Sequence, residues 1–126
     1  MRWTPRVWTT LAALSGLLAV AAGAFAAHGV SDPTARELLR TGSTYEFMHA
    51  LATLACAGLA ATAMPRARFA PAWFLAGTLL FSGSLYALAF GAPRLAGVVT
   101  PFGGLAFMAG WAVLAWAAAT SAQTAA

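Results

Sequence analysis

The chain has 126 residues, of which 61% are hydrophobic and only 8% are charged. A soluble domain carries about a quarter charged residues, and a domain of this size could not bury so much apolar surface. The net charge of +4 comes from arginines that lie between apolar runs, where arginines face lipid headgroups and set topology. The composition therefore predicts a membrane protein whose first partner is the lipid bilayer and which binds no nucleic acid.

The first apolar run, about residues 7–27, fits either a cleaved signal peptide or a retained transmembrane helix. Arg2 and Arg6 precede it, and Ala24–Ala26 has the small-x-small spacing of a signal-peptidase site. The apolar run continues directly into this site, without the polar region that normally precedes cleavage. We therefore expect a retained helix with His28 at its end.

The segment SDPTARELLRTGS (31–43) is the most charged connection in the chain. Pro33 suits a first helical turn, and Thr34 with Glu37 has the spacing of a capping box. Its leucines gather opposite its arginines, and Gly42 can end a helix. This pattern predicts a short amphipathic helix that lies on the membrane surface.

Three further apolar runs are long enough to cross a hydrocarbon core of about 30 Å, which requires about 20 helical residues. They cover about residues 44–63, 70–90 and 100–119, with MPRARFAP (64–71) and GAPRLAGVV (91–99) between them. Open strands are excluded because lipid cannot satisfy their backbone polar groups. The sequence thus predicts an all-α fold, a transmembrane bundle of four helices that forms a single domain over residues 1–126.

The arginines and the small residues bear on topology and association. Small residues recur every four positions on several spans, as at Ser15, Ala19, Gly23 and Ala27, and such stripes let helices approach closely. Because four short helices also expose much perimeter, we expect a homo-oligomer or docking in a larger membrane complex. The positive-inside rule favours both termini in the cytoplasm, by a margin of four arginines to three: Arg2, Arg6, Arg66 and Arg68 against Arg36, Arg40 and Arg94.

Nearly all polar residues of the predicted spans fall in one half of the membrane when successive spans alternate in direction. They are His28, Tyr45, Glu46, His49, Ser82, Ser84, Tyr86 and Thr100. Glu46 and His49 share a helix face, as do Ser82 and Tyr86. Ionisable residues inside a membrane usually face the bundle interior or a wet cavity. We therefore expect a single hydrogen-bonded cluster that contains His28, Glu46, His49, Ser82 and Tyr86.

The residues alone leave several interpretations of this cluster open: a structural tie between helices, a pocket for a lipid headgroup, quinone or small solute, or a metal or haem site. Di-iron bundles need two Glu-x-x-His motifs and two further carboxylates. This chain has one such motif and three acidic residues in all, so we expect no metal and no cofactor. No serine has the setting of a nucleophile and no glycine-rich phosphate loop is present, so we do not expect an enzyme.

Four motifs resemble a known family. GAFAAHG (23–29), YEFMHALA (45–52), LFSGSLYAL (80–88) and TPFGGLAFMAGW (100–111) are similar in order and spacing to the YgdD-like family, from about Ser15 to Leu114. This family consists of small four-span membrane proteins of unknown function with bacterial and eukaryotic members. The resemblance implies a retained first helix that ends in the histidine, and a multi-pass protein of the bacterial inner membrane. This chain has Glu46 where glutamine is common in the family, and Ala26 where glycine is usual.

Two functional hypotheses follow. The first is a non-enzymatic membrane protein that binds a small molecule or lipid, or that serves a membrane complex as an accessory protein. The alternative is a small proton-coupled exporter that acts as a homo-oligomer with Glu46 as the coupling group. Small multidrug exporters, however, carry their acidic residue in the first span near the midplane, whereas the sequence places Glu46 at a shallow position in the second.

Overall fold

The computed structural model describes residues 2–122, and within them every regular element is helical. The helices are α1 (Pro5–His28), α2 (Pro33–Ala61), α3 (Pro71–Gly77), α4 (Gly83–Ala89) and α5 (Thr100–Ala119). A π-helical turn, Thr78–Ser82, joins α3 and α4 into one continuous helix, and 3-10 turns at Pro65–Phe69 and Arg94–Val98 precede α3 and α5. The all-α prediction is confirmed.

Proline marks the helix starts. It occupies the first turn of α1, α2, α3 and α5, where its missing N–H costs no hydrogen bond and its fixed φ suits the helix. The N-cap of α2 is Asp32, whose Oδ2 accepts a hydrogen bond of 2.8 Å from the backbone N–H of Ala35. The predicted capping box of Thr34 and Glu37 is therefore wrong, because the helix begins one residue earlier, at Pro33.

Three helical segments within residues 2–122 are long and apolar enough to cross a membrane. They are Pro5–His28, Pro65–Ala89 and Arg94–Ala119, with mean hydropathies of 1.9, 1.5 and 1.7. These segments contain most of the predicted spans 7–27, 70–90 and 100–119. The remaining long helix, α2, does not meet the same standard of length and composition, and Glu46 and His49 lower the hydropathy of its apolar half.

The structure does not separate the expected interfacial helix (31–43) from the span predicted to begin at residue 44. Pro33–Ala61 is a single helix of 29 residues, about 44 Å long at about 1.5 Å per residue. Gly42 does not end it, because this glycine is needed for packing: a Cβ there would lie 2.6 Å from Cε1 of Tyr86. The hydroxyls of Ser43 and Thr44 donate to the carbonyl of Arg40 at 3.0 and 2.9 Å and so fit a continuous helix.

Small residues form the contact between α1 and α2. Ala12, Ala19 and Ala26 are the buried residues of α1 and recur every seven positions, the spacing of a left-handed helix seam. A Cβ at Gly23 would lie 3.4 Å from the hydroxyl of Ser43 on α2. The expected four-residue stripe is correct for Ala19 and Gly23, but Ala27 is exposed.

Glycines and aromatic rings form the contact between α5 and the α3–α4 helix. A Cβ at Gly77 would lie 2.3 Å from the ring of Phe107, and one at Gly110 would lie 2.5 Å from the ring of Phe74. Both rings belong to the buried core, together with Ala52, Cys56 and Ala70. Helix α2 thus contacts α1 through small residues and the rest of the bundle through large rings.

Candidate functional site

A buried carboxylate joins three helices. Glu46 of α2 is only 5% exposed. Its Oε1 accepts a hydrogen bond of 2.9 Å from the hydroxyl of Tyr86 on α4, and its Oε2 accepts one of 3.2 Å from the hydroxyl of Ser15 on α1. The expectation that Glu46 turns inward to a hydroxyl of another helix is therefore confirmed.

His49 forms a separate centre with α5. Its Nε2 lies 3.1 Å from Nε1 of Trp111, and its Nδ1 lies 2.6 Å from the carbonyl oxygen of Tyr45. Its ring also stacks on Phe107, with 3.6 Å between ring centroids and an interplanar angle of 11°. An indole N–H can only donate, so Nε2 accepts and the proton of the neutral imidazole lies on Nδ1, which donates to the carbonyl. Both ring nitrogens are thus occupied.

The predicted serines hold backbone and loop positions. Ser82, in the π turn, is fully buried and donates a hydrogen bond of 2.7 Å to the carbonyl of Gly42. The hydroxyl of Ser84 lies 2.6 Å from that of Thr100 at the start of α5, and it also donates to the carbonyl of Phe81. Tyr45 is 39% exposed, with its ring 4.6 Å from that of Phe81.

The single cluster expected from the sequence is divided in the structure. His28 is exposed at the end of α1, and no side-chain hydrogen bond joins it to the other polar residues within the described range. The cause is the stagger of α1 against α2: Glu46 meets Ser15, near the middle of α1, and His28 is 13 residues (about 20 Å) farther along that helix. Glu46 is therefore deeper in the bundle than its position in the sequence suggests.

Two partners of the site escaped the sequence analysis. Ser15 was assigned to a packing stripe, although it is the one hydroxyl between Leu11 and Ala27, and a hydroxyl within an apolar span often bonds to a neighbouring helix. Trp111 lies inside the apolar run 100–119, away from its ends. A buried indole N–H usually needs a hydrogen-bond partner, so its placement was a usable signal.

A lateral groove leads to Glu46. It has a volume of about 360 Å³ and separates α1 from the α3–α4 helix, and we call it the α1–α4 groove. Glu46 and Tyr86 lie at its floor, and the rings of Phe25 and Phe90 stack across it with 6.0 Å between centroids. The rest of its lining is apolar apart from Thr78, and includes Leu18, Ala21, Ala22, Leu39, Leu79 and Gly83.

The groove brings together few groups that could bind a metal. Within residues 2–122, His, Cys, Asp and Glu form no group of three or more that could hold a metal ion. Glu46 has two hydroxyl partners and His49 is occupied at both nitrogens. The chemistry that the groove offers is a carboxylate acceptor at the end of an apolar surface.

Comparison with known proteins places the chain in a family. The family model described as "Protein of unknown function (DUF423)" matches residues 22–104. The chain belongs to this family. Within the DUF423 match lie Glu46, His49 and Tyr86, whereas Ser15 and Trp111 lie outside it.

Three relatives illustrate the likeness of this DUF423 protein to others. It is 46% identical over 112 residues to a UPF0382 membrane protein of Haemophilus influenzae, covering 86% of this chain and 90% of that one. It is 46% identical over 118 residues to the UPF0382 inner membrane protein YgdD of Escherichia coli K12, covering 88% of each chain. It is 36% identical over 112 residues to a UPF0382 membrane protein of Staphylococcus epidermidis, covering 86% of this chain and 92% of that one. No solved structure matches.

These relatives confirm the resemblance to the YgdD-like family. Together with the three apolar spans, they identify the DUF423 protein as a multi-pass protein of the bacterial inner membrane. The matched proteins are named only for their membrane location, so function has to be argued from the site.

Proposed function

We propose that this DUF423 protein is a non-enzymatic membrane protein of four spans that binds an amphiphilic, lipid-like molecule in the α1–α4 groove. The observation that carries the proposal is the buried carboxylate of Glu46 at the floor of an otherwise apolar groove. Ligand sites are commonly apolar surfaces with a few well-placed polar groups.

The chemistry of Glu46 defines what the ligand must offer. An ionised carboxylate has about four acceptor positions, and the hydroxyls of Ser15 and Tyr86 use two of them. A hydroxyl, amine or amide of the ligand would donate to a remaining position. Its hydrocarbon part would lie against Leu18, Leu79 and neighbouring apolar residues of the groove, which opens sideways.

The fourth span of this proposal is α2. Its 29 residues exceed the approximately 20 that cross a hydrocarbon core, and its two ionisable residues face protein partners, as intramembrane ionisable residues usually do. Four spans place both termini on the same side. The arginine count of the sequence favours the cytoplasm for that side.

Filling the groove tests the binding proposal. Gly83 lines the groove, and the nearest atom to an added Cβ is the carbonyl oxygen of Thr78 at 3.9 Å. The matched control is Gly58 on an exposed face of α2, where an added Cβ meets nothing within 4 Å. We expect native mass spectrometry of gently purified protein to show a bound amphiphile that Gly83→Leu loses and Gly58→Leu retains. Equal retention by both variants, or no bound amphiphile in the unaltered protein, would contradict the proposal.

The second candidate is a proton-coupled exporter that acts as a homo-oligomer. It is supported by the contact between Glu46 and Ser15, which puts the acidic group near the middle of α1 and not at the shallow depth inferred from the sequence. Glu46→Gln separates the two candidates, since an amide can accept from Tyr86 and donate to Ser15 but cannot exchange a proton. An exporter would move a lipophilic cation out of proteoliposomes under a pH gradient, and Glu46→Gln would abolish that flux. We expect no such flux from the unaltered protein, and cross-linking in membranes would report the oligomer.

A further inference from the structure

A second cavity lies at the end of the bundle where α1 begins. It has a volume of about 460 Å³ and is lined by residues of the α1 start and of the Pro65–Phe69 turn: Arg2, Trp3, Trp8, Arg68, Phe69 and Ala72. Both segments lie at the ends of apolar spans, and therefore at the level of lipid headgroups. This site shares no lining residue with the α1–α4 groove.

The charges at this end of the bundle are unbalanced. Its arginines are Arg2, Arg6, Arg66 and Arg68, whereas the acidic side chains of the chain, Asp32, Glu37 and Glu46, all belong to the N-terminal half of α2 or to its cap. The N-terminal part of α2 follows the end of α1, so those acidic groups are far from Arg2.

The arginines at this end differ in what they bind. Arg66 donates a hydrogen bond of 2.7 Å to the carbonyl of Thr120 and lies over the ring of Trp116, so it has a role in holding the end of α5. Among residues 2–122, the guanidinium groups of Arg2 and Arg68 form neither a side-chain hydrogen bond nor an ion pair. Both line the cavity.

Aromatic rings give the cavity a second, apolar character. Trp3 and Trp8 stack with 5.9 Å between ring centroids, and Phe69 is 49% exposed beneath the guanidinium of Arg68. Tryptophan is enriched at membrane interfaces because its ring is apolar while its N–H can donate. The cavity thus combines two cations with an apolar floor at headgroup depth.

We propose that this cavity binds an anionic phospholipid of the surrounding leaflet. The phosphodiester lies between Arg2 and Arg68, since guanidinium groups pair with phosphate oxygens through parallel N–H donors. The glycerol and the first part of the acyl chains lie against Trp8, Phe69 and Ala72. Charge complementarity selects an anionic over a zwitterionic headgroup, because a zwitterionic lipid carries its own cation near the phosphate.

The test compares two double variants with the same change in net charge. Arg2→Gln/Arg68→Gln removes the cations of the cavity. Arg6→Gln/Arg94→Gln removes two exposed arginines that do not line it. Delipidated full-length protein is titrated with phosphatidylglycerol and with phosphatidylcholine of the same acyl chains, and bound lipid is counted by native mass spectrometry. Circular dichroism confirms that each variant is folded.

We expect the unaltered protein to prefer phosphatidylglycerol and the cavity variant to lose that preference. The expected loss is about fivefold for each arginine, or about thirtyfold for both, while the control variant keeps most of the preference. Two results would overturn the proposal: an unaltered protein that does not distinguish the two lipids, or a control variant that loses as much as the cavity variant. The second result would mean that the arginines act only through their summed field.

Discussion

Replacing Gly103 by alanine should destabilise the bundle, because this glycine brings α5 against the backbone of the π turn. An added Cβ would lie 2.3 Å from the backbone nitrogen of Phe81 and 2.7 Å from its Cα, whereas real Cβ contacts below 3.0 Å are essentially not seen. The two helices must therefore separate by at least 0.7 Å (3.0 minus 2.3). No rotamer change relieves a clash with backbone, so we take overpacking at about 2–3 kcal/mol. Subtracting about 1 kcal/mol for the better helix propensity of alanine leaves a net loss of about 1–2 kcal/mol.

The adjacent Gly104 is the matched control. The nearest atom to a Cβ there is Cδ2 of Phe81 at 4.0 Å, so Gly104→Ala should stabilise the protein by about 0.4–1 kcal/mol through the reduced entropy of the unfolded chain. Reversible unfolding in mixed detergent micelles, followed by circular dichroism, measures both variants under the same conditions. A Gly103→Ala variant as stable as the unaltered protein, or equal shifts for both variants, would refute the packing that we describe.

Three further predictions concern hydrogen bonds and the N-terminus. Glu46→Ala removes the acceptor of two hydroxyls and should cost about 1–3 kcal/mol for each donor left unsatisfied, whereas Glu46→Gln, which can pair with both, should cost less than about 1 kcal/mol in the same unfolding assay; equal losses would show that the hydrogen bonds are not the cause. Trp111→Phe leaves Nε2 of His49 without its donor and should cost about 1–3 kcal/mol, while Trp116→Phe on an exposed face should stay within about 0.5 kcal/mol. The intact mass of the membrane-purified protein should include Trp3, and a mature form that begins near residue 27 would contradict the retained first helix.

The helices were predictable from the sequence because their signals are local. Apolar runs of sufficient length, proline in the first turn and a charged connection are properties of neighbouring residues. The continuity of α2 was not predictable in this way. Gly42 has the local character of a helix end, but in the structure it gives space to the ring of Tyr86, which belongs to a distant part of the chain.

The partners within the candidate site depend on the stagger between helices, which local patterns do not contain. Glu46 and His49 share a face of α2, and the sequence therefore paired them with one another. In the structure the Glu46 side chain contacts α1 and α4 while His49 contacts α5. The stagger of α1 follows from its buried alanines, Ala12, Ala19 and Ala26, and it sets Ser15 rather than His28 opposite Glu46.

The alanine seam between α1 and α2 also determines how easily the α1–α4 groove can change its width. Methyl groups do not interlock with the facing helix as branched or aromatic side chains do, so α1 can tilt on α2 without forcing large side chains past one another. Among the described residues, Ser15 supplies the one side-chain hydrogen bond from α1 to another helix, and that bond ends on Glu46. Any molecule that competes with Ser15 for this carboxylate would thereby loosen the same wall past which it enters, so entry from the lipid and capture at the floor would be a single coupled event.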